Sequence, residues 1–277
     1  RDLVDGLQRY QEHEASRREA QQKAHNEAID KVAESLADQR LEDAVVAAID
    51  AHDVAAAPAK VLDHPDVKRA VSRAAERGKQ AIKNEKWVEA LNLYRLLDML
   101  YEKQGTYRDQ LDRVRRHARV LRMYAPEQME KLQRAYAERS NGGEDDDEAA
   151  AGEPGAEPIE DLDFTKWQKR LRGVRATMLR QALRIAVEGN QRISPHVSNP
   201  SYRELLKGAV RQLSVLLETK RLDGTFDAFK REQALEDFRR HVRDVTERLN
   251  NPEREFGYLD ATAIVDGMLG MNRQTLD

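Results

Sequence analysis

Apolar positions along this chain recur at helical spacing almost throughout, and strand-type alternation is scarce. The clearest stretch is 202–217, where Leu205, Leu206, Ala209, Leu213, Leu216 and Leu217 fall on one stripe with Gly208 beside it. A glycine in a helix interior costs about 1 kcal/mol relative to alanine. Its presence here predicts close approach of another backbone, and crowding if leucine replaces it.

The same periodicity sets out the other elements. Residues 2–140 read as successive helices punctuated by Pro58, Pro65, Pro126 and Gly105. Asp63-His64-Pro65-Asp66 has the form of a capped start, with proline in the first turn and acids near the positive end of the helix dipole. Residues 1–38 are thinly apolar and predict a long, partly exposed helix. A helix over 164–189 carries Trp167, Leu171, Val174, Met178, Ala182 and Ile185 on one face. After a turn with Pro195 and Pro200, further helices are expected from Asn199 to about Lys220, over 226–249, and over 259–271.

Two internal echoes stand out. Ile264-Val265-Asp266-Gly267-Met268-Leu269 repeats the pattern of Leu205-Leu206-Lys207-Gly208-Ala209-Val210, which predicts two similar helix-packing elements. Gly78, Trp87, Ala90 and Tyr94 have the spacing of the small and aromatic positions in a tetratricopeptide repeat, a helix pair in which Ala90 admits the neighbouring helix and Tyr94 fills the gap. Ala74, Arg77, Ala81 and Glu102 depart from that pattern, and Leu41, Ala44 and Ala51 repeat the theme at the wrong interval. One degenerate pair over 68–103, within an irregular array, is the expectation.

Composition sharpens this picture. The 277 residues are 40% hydrophobic, 35% charged and 5% aromatic, a balance expected of an all-α protein. No apolar run is long enough to span a bilayer. The absence of cysteine excludes disulfides and thiolate metal sites. The net charge of −3 hides an asymmetry: residues 141–163 hold ten acids and no base. Interleaved with glycine and proline, they predict a disordered acidic linker. The chain opens on Arg1 and ends at Asp277 in mid-pattern, which reads as a piece of a longer protein.

Candidate chemistry is sparse. His13, His25, His52, His64, His117, His196 and His241 show no metal-ligand spacing, and solvent-exposed or capping roles are expected. Nucleophile elbows, phosphate-binding loops and dinucleotide fingerprints are absent. No catalytic, cofactor-binding or metal role is assigned. Lys166, Lys169, Arg170, Arg180 and Arg184 share a face free of acids. Such a stripe suits a solvated surface, the adjacent acidic spacer, phosphates or an anionic membrane. The tethered acids, and the lack of aromatics among the bases, argue against nucleic acid.

The string Glu204-Leu205-Leu206-Lys207-Gly208-Ala209-Val210-Arg211-Gln212-Leu213, with Leu216-Leu217-Glu218 after it, resembles the helical segment ahead of the PDZ domain in bacterial carboxyl-terminal processing proteases. The likeness covers about 164–277, with Trp167 upstream and Thr225-Phe226 after the following loop. It departs where Arg211, Gln212 and Thr219 stand in place of the family's second glycine and aspartate pair. The resemblance implies a secreted or envelope serine peptidase whose PDZ and Ser-Lys catalytic domains lie outside these residues. This chain would then position domains, assist assembly or limit substrate access.

The sequence therefore predicts two all-helical modules, 1–140 and 164–277, joined by the linker at 141–163. Helix-packing roles fall to Gly78, Trp87, Ala90, Tyr94, Gly208, Ala209 and Gly267. Protein or peptide partners are expected, with oligomeric state open. The alternative function is an independent helical-repeat interaction scaffold.

Overall fold

The computed structural model describes residues 2–140, 172–189, 200–253 and 255–275. Among them all regular structure is helical, as the periodicity predicts. In chain order the α-helices are α1 Asp2–Ala37, α2 Leu41–Val54, α3 Pro58–Val61, α4 Pro65–Lys83, α5 Trp87–Leu100, α6 Arg108–Tyr124 and α7 Pro126–Ser140. Then follow α8 Ala176–Arg184, α9 Tyr202–Glu218, α10 Glu232–Asn250 and α11 Tyr258–Thr275. The acidic stretch 141–163, and the first residues of the helix expected from 164, lie outside the described residues. Two compact units, Arg1–Arg115 and Arg116–Asp277, divide within α6.

In the first unit α2 packs on α1, α4 and α5, and α4 packs on α5. Small side chains make this possible: Ala44, Ala48 and Ala51 of α2 and Ala70 and Ala74 of α4 are fully buried. Val45, Val67, Leu93 and Leu97 fill the space around them. Helix α4 starts as its sequence predicts. The His64 ring nitrogen accepts from the Asp66 backbone N–H at 3.4 Å, and Pro65 occupies the first helical position.

In the second unit α9 and α10 lie antiparallel, with α11 packed on both. Arg239 of α10 donates to the Leu217 carbonyl near the end of α9 at 2.7 Å, and Arg203 of α9 donates to the Leu249 carbonyl near the end of α10 at 3.3 Å. Each cation thus meets the negative end of its neighbour's dipole. Helix α9 opens at Ser201 instead of Asn199. Ser201 Oγ accepts from the Glu204 backbone N–H, while the Glu204 carboxylate accepts from the Ser201 backbone N–H at 2.8 Å. The Ser201 backbone N–H first, and then the Ser201 hydroxyl, which donates to the same carboxylate at 3.1 Å, hold the Glu204 carboxyl below the ordinary carboxylate range. Helix α10 begins six residues later than position 226, because a 3-10 turn at Asp227–Lys230 intervenes and buries Phe229.

The stripe expected on α9 is turned. Leu206, Val210, Val215 and Leu217 are its buried residues, whereas Gly208 and Ala209 face solvent. The face expected on the helix before Gly189 is likewise corrected. Gly173 adopts φ +90, a left-handed turn that precedes α8. Val174, Met178, Ala182 and Ile185 are exposed, while Ala176, Arg180 and Leu183 are half-buried on the side that packs against α11. Trp167 and Leu171 fall outside the described residues.

Candidate interaction surfaces

In the α4–α5 pair, Gly78 is buried beneath the Tyr94 ring. A Cβ at Gly78 would lie 2.8 Å from Tyr94 Cε2. Ala90 is fully buried, with Trp87 and Tyr94 almost so. Tyr94 leans on Tyr107, with centroids 6.4 Å apart, and burial raises the pKa of its phenol. The close approach of α4 to α5 thus rests on a small residue set against an aromatic ring.

Beside that pair the end of α1, the start of α2 and one face of α4 enclose an open groove of about 660 Å³. Ala33, Leu36, Ala37 and Leu41 supply its apolar lining, and Arg69 and Arg73, one turn apart on α4, supply its charge. The tight turn that shapes the groove has Gln39 at φ +61. Arg69 reaches Asp66 at 3.5 Å, an exposed pair of small energetic weight. Arg73 makes no ion pair among the described residues.

Among the described residues, Gly208 and Gly267 show no neighbour of the close kind expected of them. No described atom lies within 4 Å of a Cβ added at Gly208, and Ala209 beside it is exposed. The close backbone approach predicted from Gly208 is absent among the described residues, because Val210 and not Ala209 turns to the core. Gly267 is also exposed, and a Cβ there would meet only the His241 ring at an ordinary 3.8 Å.

The expected anion-contact face resolves differently as well. Lys166, Lys169 and Arg170 lie outside the described residues. Arg180 pairs with Asp266 of α11 at 3.6 Å. Arg184 pairs with Glu188 at 2.9 Å and lies 6.0 Å from the Tyr258 ring centroid. Glu188 also accepts from the Tyr202 hydroxyl at 2.8 Å. Arg184 first and Tyr202 second hold the Glu188 carboxyl below its usual range. The π-turn Ile185–Gly189 that ends α8 presents Glu188 to both partners.

One polar cluster escaped sequence reasoning. His117, expected at the surface or in a cap, is 1% exposed. Its Nδ1 lies 2.8 Å from Thr219 Oγ1, and its Nε2 lies 3.9 Å from the Glu218 carboxylate. The Thr219 hydroxyl donates its single proton to the Val215 carbonyl at 2.7 Å. Its oxygen therefore accepts from His117 Nδ1–H. The pair fastens the end of α9. No local signal marks His117, whose partner lies far along the chain.

Among the described residues no group of three or more His, Asp or Glu side chains is placed to hold a metal ion, and no helix is long and apolar enough to cross a membrane. What the geometry offers is surface: a groove of apolar floor and arginine rim in the first unit, and an exposed apolar face on α8 in the second. No protein-family model matches the chain, and no curated protein or solved structure shows significant similarity to it.

Proposed function

We propose that the chain is a non-catalytic helical scaffold that binds protein or peptide partners through the groove between α1, α2 and α4. The observation that carries this reading is Arg73 standing one turn from Arg69 above the apolar lining of Ala33, Leu36 and Leu41, with no ion pair among the described residues. A peptide with an aliphatic side chain near a carboxylate matches both parts of the groove. Burying one aliphatic side chain is worth about 1.5–3 kcal/mol, and a hydrogen bond to a charged group about 1.5–3 kcal/mol. After ordering costs, these predict weak, reversible capture in about the millimolar to micromolar range. The tetratricopeptide-like packing of α4 on α5 supports the same reading, since it fixes the helix that carries both arginines.

The processing-protease resemblance would place this scaffold ahead of PDZ and peptidase domains as a positioning element. It rests on the string around Gly208-Ala209, which faces solvent here, and the geometry adds nothing further in its favour.

Panning random displayed peptides against the full chain tests the proposal. Enriched sequences should carry Asp or Glu close to Leu, Ile or Val, and Arg73→Glu should abolish the enrichment. Failure to enrich, or enrichment that survives Arg73→Glu combined with Leu41→Asp, contradicts it.

A further inference from the structure

The second unit carries another surface, independent of the groove on the first. Val174, Met178 and Ile185 lie on one side of α8 and its flanks at 100° per residue, with Leu179 next to Met178. All four are conspicuously exposed: 43%, 53% and 58% for the first three, and 41% for Leu179. Val174 and Leu179 also line an open concavity of about 510 Å³, closed on its far side by Leu269 of α11. Arg175 and Arg273 form its rim.

The charges around this concavity are unbalanced. Arg180 and Arg184 are neutralised by Asp266 and Glu188. Arg172, Arg175 and Arg273 make no ion pair among the described residues. An apolar floor beside uncompensated guanidinium groups favours an occupant that brings both aliphatic carbon and negative charge. Carboxylates suit this rim, because the planar fork of arginine pairs with them in bidentate fashion.

We propose that this face of α8 and α11 binds an acidic amphipathic segment of a partner protein. Aliphatic side chains of the partner seat on Val174, Leu179 and Leu269, and its Asp or Glu carboxylates pair with Arg175 and Arg273. The unbranched Met178 at the edge adapts to whichever side chain meets it. A membrane surface fits less well. The site is concave, and none of its exposed apolar residues is one of the aromatics that anchor at the headgroup level. Nucleic acid fits less well for the same lack of stacking platforms.

The probe is a fluorescein-labelled amphipathic peptide with leucines at i, i+4 and i+7 flanked by glutamates, alongside a counterpart with every glutamate replaced by lysine. Anisotropy with the full chain should rise for the glutamate peptide and not for the lysine one. Arg175→Glu combined with Arg273→Glu should weaken binding by about tenfold or more, and Leu179→Asp should do the same through lost apolar contact. Because the groove on the first unit accepts the same class of peptide, these affinities are read in the Arg73→Glu background, where the glutamate peptide should still bind. The inference is overturned if the glutamate peptide does not bind, if both peptides bind alike, or if the correctly folded charge-reversal variant keeps its affinity. It is equally overturned if Arg73→Glu removes binding, or if phosphatidylserine–phosphatidylcholine vesicles bind the chain and displace the peptide.

Discussion

Two glycines on amphipathic helices have opposite environments, and the contrast makes a sharp test. At Gly78 a methyl group would press into the Tyr94 ring, which is itself almost fully buried and has little room to move. Gly78→Ala should destabilise the first unit by about 1–3 kcal/mol, despite the gain in helix propensity. At Gly208 no described atom stands in the way, so Gly208→Ala should stabilise α9 by about 0.5–1 kcal/mol. Urea melts of the two variants should move in opposite directions, and parallel shifts would contradict the assignment. Of the two sites, only Gly78 was legible in the sequence, through its spacing to Ala90 and Tyr94. Gly208 misled because a helical stripe fixes a face only to within about one residue on either side. Val210 decided which way that face turned. His117 was invisible for a different reason: burial by contacts distant in the chain leaves no local pattern.

At the scale of elements, the capped start of α4 was readable, whereas the capping box of α9 at Ser201 was passed over for Asn199. His64-Pro65-Asp66 and the Ser201 to Glu204 box both supply a side-chain acceptor for a backbone N–H that the helix leaves unsatisfied. The Glu204 bonds also carry a pH signature. Because its folded pKa is lowered, the stabilisation is present above the ordinary carboxylate pKa and is lost as pH falls through the lowered value. Glu204→Ala should therefore be less stable than the parent chain at neutral pH, and the gap should close on acidification. A pH-independent gap in paired thermal melts would show that the carboxylate does not act as a cap. Helix α8 shows where periodicity runs out. Its apolar stripe has the right spacing for a core face, yet the neighbouring helix packs on the other side. Amphipathicity marks a face that wants cover without naming what covers it.

For the whole molecule, composition and periodicity sufficed to give an all-α architecture, because local hydrogen bonding and one apolar stripe per helix dictate it. Where the compact units divide was not legible. The boundary expected from the sequence was the acidic stretch 141–163, which lies outside the described residues, whereas the division falls within α6, where neither proline nor glycine stands. The two surfaces proposed for binding were also unreadable in advance. Arg73 meets Leu36 and Leu41 only after α1, α2 and α4 have packed, and Arg175 meets Leu269 and Arg273 only through the docking of α8 on α11. What binds at the first of these surfaces is the centre of the account.

Hydrogen exchange on the full chain, with and without a peptide selected by panning, tests that centre most directly. Added protection should concentrate at the end of α1, the start of α2 and the Arg69 to Arg73 turn of α4, and should vanish in the Arg73→Glu variant. Protection that leaves these segments untouched, or that persists in the variant, would contradict a scaffold that captures partners in this groove.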